Sequence, residues 1–337
     1  KYLKFSFFAQ GGFDGVNIFN TEKLNLTNNA AKYEIDDSAN QGGTSGPTIA
    51  AYRKATEIMG SKTDADIQLL AIPGQRNPVI TDFAISAVEN RFDTLYIMDI
   101  EERDQANAVI TSSIQDVHIK NTVADFKSRN LNSSFAAAYF PDLTIQNNGN
   151  LISVPPSVGI LGVYSANDKI GAPWTAPAGN NRGVLNAVET TSVKLNRSNL
   201  DDLYDADINP ITSFPGTPIV TWGQKTLLSN SSALDRVNVR RLLISVRRSV
   251  RVVANSLLFE PNRETTLARF KALVNPILQN VQERNGISRY KVVIDSSTTT
   301  QADIENNTIR GKIFLQPTRT VEFVALDFVV TNAGAEI

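Results

Sequence analysis

The stretch Ile67-Gln68-Leu69-Leu70-Ala71-Ile72-Pro73-Gly74 is an apolar run broken once and stopped by a Pro-Gly pair. That pattern predicts a strand covered on both faces. Residues 78–91 follow with amphipathic spacing, and Thr94-Leu95-Tyr96-Ile97-Met98 reads as a second buried strand. Strand, helix and strand in this order predict a parallel sheet with right-handed crossovers.

Working outward, residues 2–9 read as a strand ending in the loop Gly11-Gly12-Phe13-Asp14-Gly15. Residues 47–59 have helical spacing, with Pro47 suited to a first turn and Gly60 to a C-terminal cap. Residues 106–128 have patchy helical spacing, and 134–140 form a further strand closed by Pro141. The first half is therefore expected to be α/β, a mostly parallel sheet with flanking helices. After the turn-rich Gln146-Asn147-Asn148-Gly149, residues 156–170 read as a helix. Residues 173–179 are too rich in Pro and Gly for either element, which puts a junction there and domains at 1–172 and 173–337. The second domain reads as α+β, with two long helices at 235–258 and 263–283 and an antiparallel sheet from runs at 288–294, 308–315 and 320–331. Gln316-Pro317-Thr318-Arg319 would join the last two runs as a hairpin.

Composition narrows the function classes. The chain has 337 residues, 42% of them apolar, enough for packed cores. It has no Cys and one His, which removes disulfide frames, thiolate metal sites and multi-His metal sites. The longest uninterrupted apolar run, 135–140, falls far below the roughly 20 residues of a membrane-spanning helix. The chain begins at Lys1 rather than Met, and the expectation is a fragment or processed product whose beginning is missing. Net charge is −1, yet residues 1–172 carry 14 basic and 19 acidic side chains while 173–337 carry 19 and 15. Opposite signs at the two ends allow copies to attract one another head to tail.

Catalytic readings are weak. The loop at 11–15 matches neither GxGxxG nor a P-loop, and no helix opens after it. Asp99, Glu101, Glu102 and Asp104 follow a predicted parallel strand, where a Mg²⁺ or ligand often sits, but acids opening the next helix are the plainer reading. His118 lies two residues from Asp116, but a catalytic His also needs a nucleophile and no GxSxG elbow occurs in the chain, so it reads as a surface or half-buried structural residue. No catalytic residue, cofactor or metal site is expected; a metal-dependent α/β enzyme acting on phosphorylated substrates is the distant alternative.

The informative segment is Asp235-Arg236-Val237-Asn238-Val239-Arg240-Arg241-Leu242-Leu243-Ile244-Ser245-Val246-Arg247-Arg248-Ser249-Val250-Arg251. At about 100° per residue, Arg236, Arg240, Arg247 and Arg251 fall within about 60° of one another, and Arg241 and Arg248 widen the sector to about 140°. Val239, Leu242, Leu243, Val246, Val250, Val253 and Leu257 fill a separate sector about 100° wide. Val237, Ile244 and Val252 project among or just beyond the arginines. No acid occurs between Asp235 and Glu260. Beside the plainer reading of a simple solvated face, a stripe of Arg without Glu suggests that the counter-charges come from elsewhere: nucleic acid, or carboxylates of another segment or another subunit, with Asp201, Asp202, Asp205 and Asp207 as a candidate cluster. The stripe has no interleaved aromatics for stacking bases. The run 320–331, long, β-rich and near the chain end, suggests strand pairing within the domain or with a neighbouring chain.

These residues also carry a resemblance. Trp174-Thr175-Ala176-Pro177-Ala178-Gly179-Asn180-Asn181-Arg182-Gly183 is similar to the W-x-[SA]-PAG-x-x-RG signature of contractile tail sheath proteins of myovirus-type bacteriophages. Ile208-Asn209-Pro210, Trp222-Gly223-Gln224-Lys225-Thr226, Asp235-Arg236-Val237-Asn238-Val239-Arg240-Arg241-Leu242 and Phe259-Glu260-Pro261-Asn262 resemble further motifs of that family, in the family's order, and Gln316-Pro317 with Glu322-Phe323 resembles its closing hairpin. The resemblance implies a non-catalytic subunit that polymerises as stacked rings around a tail tube and contracts to drive the tube through the host envelope during genome ejection. It implies tail tube, baseplate and tail terminator proteins as partners, no direct nucleic-acid contact and no membrane insertion. Location would be the virion, after assembly in the host cytoplasm; a tailocin or secretion-type injection device is the alternative. Intersubunit contacts are expected at the six arginines Arg236, Arg240, Arg241, Arg247, Arg248 and Arg251, at Asp201, Asp202 and Asp205, and at Val321, Phe323, Ala325 and Phe328.

Overall fold

The computed structural model describes residues 28–110, 116–261, 263–295, 298–300, 303, 305, 306, 308–320 and 322. The strand expected at 2–9, the glycine loop at 11–15 and most of the run at 320–331 lie outside them. The helices are α1 (Asn28–Asp36), α2 (Ser38–Gln41), α3 (Pro47–Gly60), α4 (Pro78–Arg91), α5 (Ile119–Ser128), α6 (Pro156–Ile170), α7 (Gly179–Arg182), α8 (Arg197–Asp205), α9 (Val237–Ser256) and α10 (Glu264–Glu283). The strands are β1 (Leu69–Ala71), β2 (Leu95–Asp99), β3 (Ala136–Phe140), β4 (Leu143–Asn147), β5 (Asn150–Val154), β6 (Val188–Thr191), β7 (Ile208–Ser213), β8 (Ile219–Thr221), β9 (Ile287–Val293) and β10 (Lys312–Pro317).

The central sheet has the order β1-β2-β3-β7-β8. Its first four strands are parallel, in register Leu70↔Tyr96, Tyr96↔Ala136 and Ala138↔Ile208, and β8 closes it antiparallel to β7. Alternation along the strands sends Tyr96, Met98, Ala136, Ala138 and Phe140 to one face, against Ala84 and Val88 of α4, Val123 and Phe126 of α5 and Leu203 of α8. Leu95, Ile97, Ala137 and Tyr139 go to the other face, against Ile160, Val163 and Tyr164 of α6 and Val237 and Ile244 of α9. A sheet covered on both faces explains why β2 and β3 are apolar without alternation.

Three expectations change. Strand β1 is the sheet's edge and all three of its residues are half-buried, so it is not covered on both faces as its composition implied. Of the patchy stretch 106–128, only Ile119–Ser128 is a described helix, because 103–109 make a turn of their own through the Arg103–Val109 bridge. Strands β7 and β8, from beyond residue 172, belong to the same sheet as β1 to β3, so a division at 172/173 runs through this sheet.

A second, three-stranded antiparallel sheet, β5-β4-β6, projects from the end of β3. Its tight turn places Asn148 at φ 50° and Gly149 at φ 84°, both left-handed, as a two-residue hairpin requires and as Asn-Gly supplies. The C-terminal layer has α9 and α10 over the antiparallel pair β9–β10, with a core of Leu242, Val246, Val274, Leu278, Val281 and Ile287. The described pairing is β9 with β10, that is, the first two expected runs with one another. Helix α9 serves two cores at once: Val237 and Ile244 face the central sheet while Leu242 and Val246 face α10. Val237 and Ile244 interrupt the arginine stripe for that reason, whereas Val252 is exposed.

Candidate interaction site along helix α9

The arginines of α9 lie across the N-terminal edge of the parallel sheet, and most meet groups of their own chain. Arg251 Nη1 donates to Asp93 Oδ2 at 2.7 Å, and Asp93 also accepts from Arg91 Nε at 2.7 Å. Asp93 is fully buried just before β2. Burial pushes its carboxyl up, but hydrogen bonds and charge from Arg251 and Arg91 outweigh this and hold it below the usual carboxylate value. Arg248 pairs with Asp66 and donates to the Ile67 carbonyl at 3.1 Å, just before β1. Arg241 bonds Asp168 Oδ2 at 2.5 Å, at the end of α6, and lies 4.6 Å from the Tyr164 ring centre.

At the helix start, Arg236 Nε donates to Glu322 Oε1 at 2.7 Å, and Gln224 Nε2 reaches Thr320 Oγ1 at 2.7 Å and Glu322 Oε1 at 3.1 Å. Arg240 differs: it donates to the carbonyl of Ser134, just before β3, at 3.1 Å and to Ser134 Oγ, and its guanidinium is 3.9 Å from the Phe135 ring centre. Burial pushes this guanidinium down to about 10. Arg247 is exposed and lies 5.2 Å from the Phe92 ring centre.

The stripe's carboxylates are thus Asp66, Asp93, Asp168 and Glu322, with Asp235 alongside Arg236. Asp201, Asp202 and Asp205 do not serve it among the described residues. They project from α8, whose Leu203 is turned into the core, while Asp207 is held by Lys225 Nζ at 3.0 Å. No local spacing pointed to Asp66, Asp93 or Asp168, because each lies more than 70 residues from its arginine. Val321, Phe323, Ala325 and Phe328 lie outside the described residues.

The signature motifs build the joint that α9 closes. Trp174 Nε1 donates to the Arg284 carbonyl at 3.1 Å, and Asn238 Nδ2 lies 3.5 Å from the Trp174 carbonyl. Pro177 is buried, Gly179 has φ 81°, and Arg182 reaches Asn167 Oδ1 at 3.3 Å. A Cβ on Gly183 would stand 2.8 Å from backbone atoms of Ala178, Gly179 and Thr221. Trp222 packs edge-on against Phe214. A Cβ on Gly223 would meet Asn209, whose side chain bonds the Ala138 carbonyl at 3.1 Å and Lys225 backbone atoms at 2.8 and 2.6 Å. Asp235 accepts the Thr226 amide through its carbonyl at 2.9 Å.

The opposite, C-terminal edge of the sheet holds the acids weighed as a metal site. Asp99 takes the Ser157 amide at 2.8 Å, Ser157 Oγ at 2.7 Å and the Gly74 amide at 3.0 Å, which makes it the anchor of the α6 N-terminus. Glu102 pairs with Arg76 at 3.0 Å, and Arg76 also holds Asp142. Burial raises the Glu102 carboxyl to about 7. Glu101 pairs with Arg103 at 3.4 Å, and Asp104 Oδ1 accepts the Ala108 amide at 2.8 Å. No group of three or more potential ligands is arranged to hold a metal among the described residues. His118 caps α5 through Nδ1, 3.3 Å from the Asn121 amide. No helix among them is long and apolar enough to cross a membrane.

Residues 229–331 match the phage tail sheath C-terminal domain family. The tail sheath protein of Vibrio phage KVP40 is 35% identical over 183 residues, 54% of this chain and 27% of that protein. The tail sheath protein of Enterobacteria phage T4 is 33% identical over 183 residues, 54% and 28%. The chain spans about a quarter of the length of the curated relatives it matches. Among solved structures, the sheath complex of the PVC extracellular contractile injection system in its contracted state superposes with a TM-score of 0.65 and 25% identity, over 79% of this chain and 71% of that one. The helical sheath of the anti-feeding prophage in its contracted state gives 0.63 and 23%, over 88% and 75%. The resemblance to contractile tail sheath proteins therefore extends from short motifs to the domain match and the fold.

Proposed function

We propose that this chain is a non-catalytic structural subunit of a contractile tail sheath, polymerising around a tail tube and contracting to drive that tube through a host envelope. The observation that carries this reading is the sheath-domain match over residues 229–331, a segment that contains the whole of α9 and α10. The structure supports it in a second way. Ion pairs from α9 to the loops before β1 and β2 and to α6 tie the layers into one body, which suits a subunit that moves nearly rigidly while its contacts with neighbours change. Energy for contraction would then reside in the lattice, as a difference in packing between extended and contracted assemblies.

On this reading the partners are further copies of the chain, the tube protein, the baseplate and a terminator, and the location is the virion after assembly in the host cytoplasm. Intersubunit contacts are proposed at Arg247 and at the run containing Val321, Phe323, Ala325 and Phe328. Electron microscopy of the concentrated protein should reveal striated tubes; a protein that stays monomeric at every ionic strength overturns the reading. A phage-derived injection device is the second reading. It is favoured by the larger share of the PVC sheath chain that this chain covers, compared with the phage proteins. Tubes purified from the producing cells distinguish the two by the presence or absence of DNA-filled heads.

A further inference from the structure

The antiparallel pair β9–β10 turns one face to α9 and α10, where Tyr290, Val292, Ile313 and Leu315 join the C-terminal core. The register Lys312↔Val293, Phe314↔Lys291 and Gln316↔Arg289 gathers the other side chains on the outward face. There Arg289, Lys291 and Lys312 are exposed, Phe314 is 55% exposed opposite Lys291, and no acid shares the face. None of the three cations has a carboxylate partner among the described residues. Like charges on neighbouring sites of a sheet repel, so such a face is a burden to an isolated subunit.

Helix α8 carries the opposite pattern. Asp201, Asp202 and Asp205 fall within about 100° of the helix surface, on the side away from the buried Leu203. They form no ion pair among the described residues, and Arg197, one turn before Asp201, pairs with none of them. Asp205 ends the helix, where the carbonyl end of the helix dipole disfavours an acid. Neither capping nor pairing within the chain accounts for these carboxylates. Helix α8 packs on one face of the central sheet, while β9–β10 lie beyond α9 on the other, so one chain does not bring the two patches together. Their spacings match: Arg289 and Lys291 stand about 7 Å apart along a strand, Asp201 and Asp205 about 6 Å apart along a helix.

We propose that the outward face of β9–β10 docks α8 of a second copy of this chain, with the α8 carboxylates on Arg289, Lys291 and Lys312 and the helix covering Phe314. The two patches differ, so the contact is head to tail, and each copy that docks leaves its own β9–β10 face open for the next. Pairing needs only the charges on the two surfaces. That the repeated contact helps to build a sheath rests on the function proposed above.

Two variants of the full chain test the contact: Arg289→Glu with Lys291→Glu, and Asp201→Lys with Asp205→Lys. All four positions are exposed, and an unchanged melting curve checks folding. In sedimentation velocity the unmodified chain should associate at about 20 mM salt and dissociate towards about 300 mM, as exposed ion pairs are screened. Each variant alone should associate about a hundredfold more weakly, because like charges then face one another. An equimolar mixture should recover the association, since the acidic strand face of one variant meets the basic α8 of the other. Should a reversal lower the melting temperature, the neutral Arg289→Gln with Lys291→Gln should still weaken association about tenfold. Unweakened association of any variant, or no recovery on mixing, overturns the proposal. Loss in the strand variant alone would assign the face to another acidic partner, such as nucleic acid, and overturns it too. Tubes are scored separately by electron microscopy: tubes from either reversed variant keep the sheath reading without this contact, and salt-sensitive pairing without tubes removes the sheath reading alone.

Discussion

Arg251 and Asp93 stand 158 positions apart in the chain, yet the guanidinium of one lies 2.7 Å from the carboxylate of the other. Asp93 also holds Arg91, whose Nη1 donates to the carbonyls of Met59 and Ser61 at 2.7 and 3.0 Å. One buried acid thus joins α9, α4 and the end of α3.

Asp93→Asn should be costly for that reason. It preserves shape but leaves Arg91, 2% exposed, without its counter-charge. Removing one partner from a buried ion pair costs about 3–5 kcal/mol. Urea unfolding followed by circular dichroism should show a loss in this range; a change below about 1 kcal/mol would mean the pair does not clamp the layers.

The arginines should respond differently from one another. Arg240→Met replaces a buried cation having no acidic partner among the described residues by an apolar side chain of similar length, and monomer stability should stay level or rise by about 1 kcal/mol. Arg247→Glu changes an exposed position, so the melting temperature should hold while tube assembly falls. Thermal melts combined with electron microscopy check both, and normal tubes from Arg247→Glu would remove that residue from the contacts.

Glu102 sets a pH dependence. Its ordinary value is 4.5 and burial raises it to about 7 in the fold, against the pull of Arg76 and with Asp142 and Asp99 adding to the rise. A raised folded value means that the proton is held more tightly when folded. The resulting stability is complete below about 4.5 and is lost as pH rises through about 7. Glu102→Gln should abolish this part of the slope, on the order of 1–3 kcal/mol between pH 5 and 8. Parallel melting curves for the two proteins across that range would contradict it.

Gly183→Ala introduces a methyl group 2.8 Å from three backbone atoms, none of which can rotate away. About 1–3 kcal/mol should be lost to overpacking, visible as a lower melting temperature. An unchanged value would show that the joint between α7 and β8 relaxes freely.

The sequence by itself determined the parts whose cause is local. Pro78–Arg91 and Pro156–Ile170 have the bounds that their spacing predicts, since proline starts and amphipathic faces act within a few residues. The continuous apolarity of 94–98 and 135–140 correctly placed two central strands, and the basic, acid-free stripe of α9 was visible in its composition. Helix α8 and the β5-β4-β6 sheet were missed, because polar, short elements lack a strong period and take their order from pairing.

Only the tertiary structure decided which acids answer the arginines. Asp66, Asp93 and Asp168 come from three separate ends of elements, and chain folding alone brings them to one helix face. It also decided that strands from both sides of residue 172 share one sheet, and that Val237 and Ile244 belong to a second core rather than to a flaw in the stripe. Burial and ion pairing depend on what packs from a distance, and a one-dimensional pattern records only the neighbour along the chain.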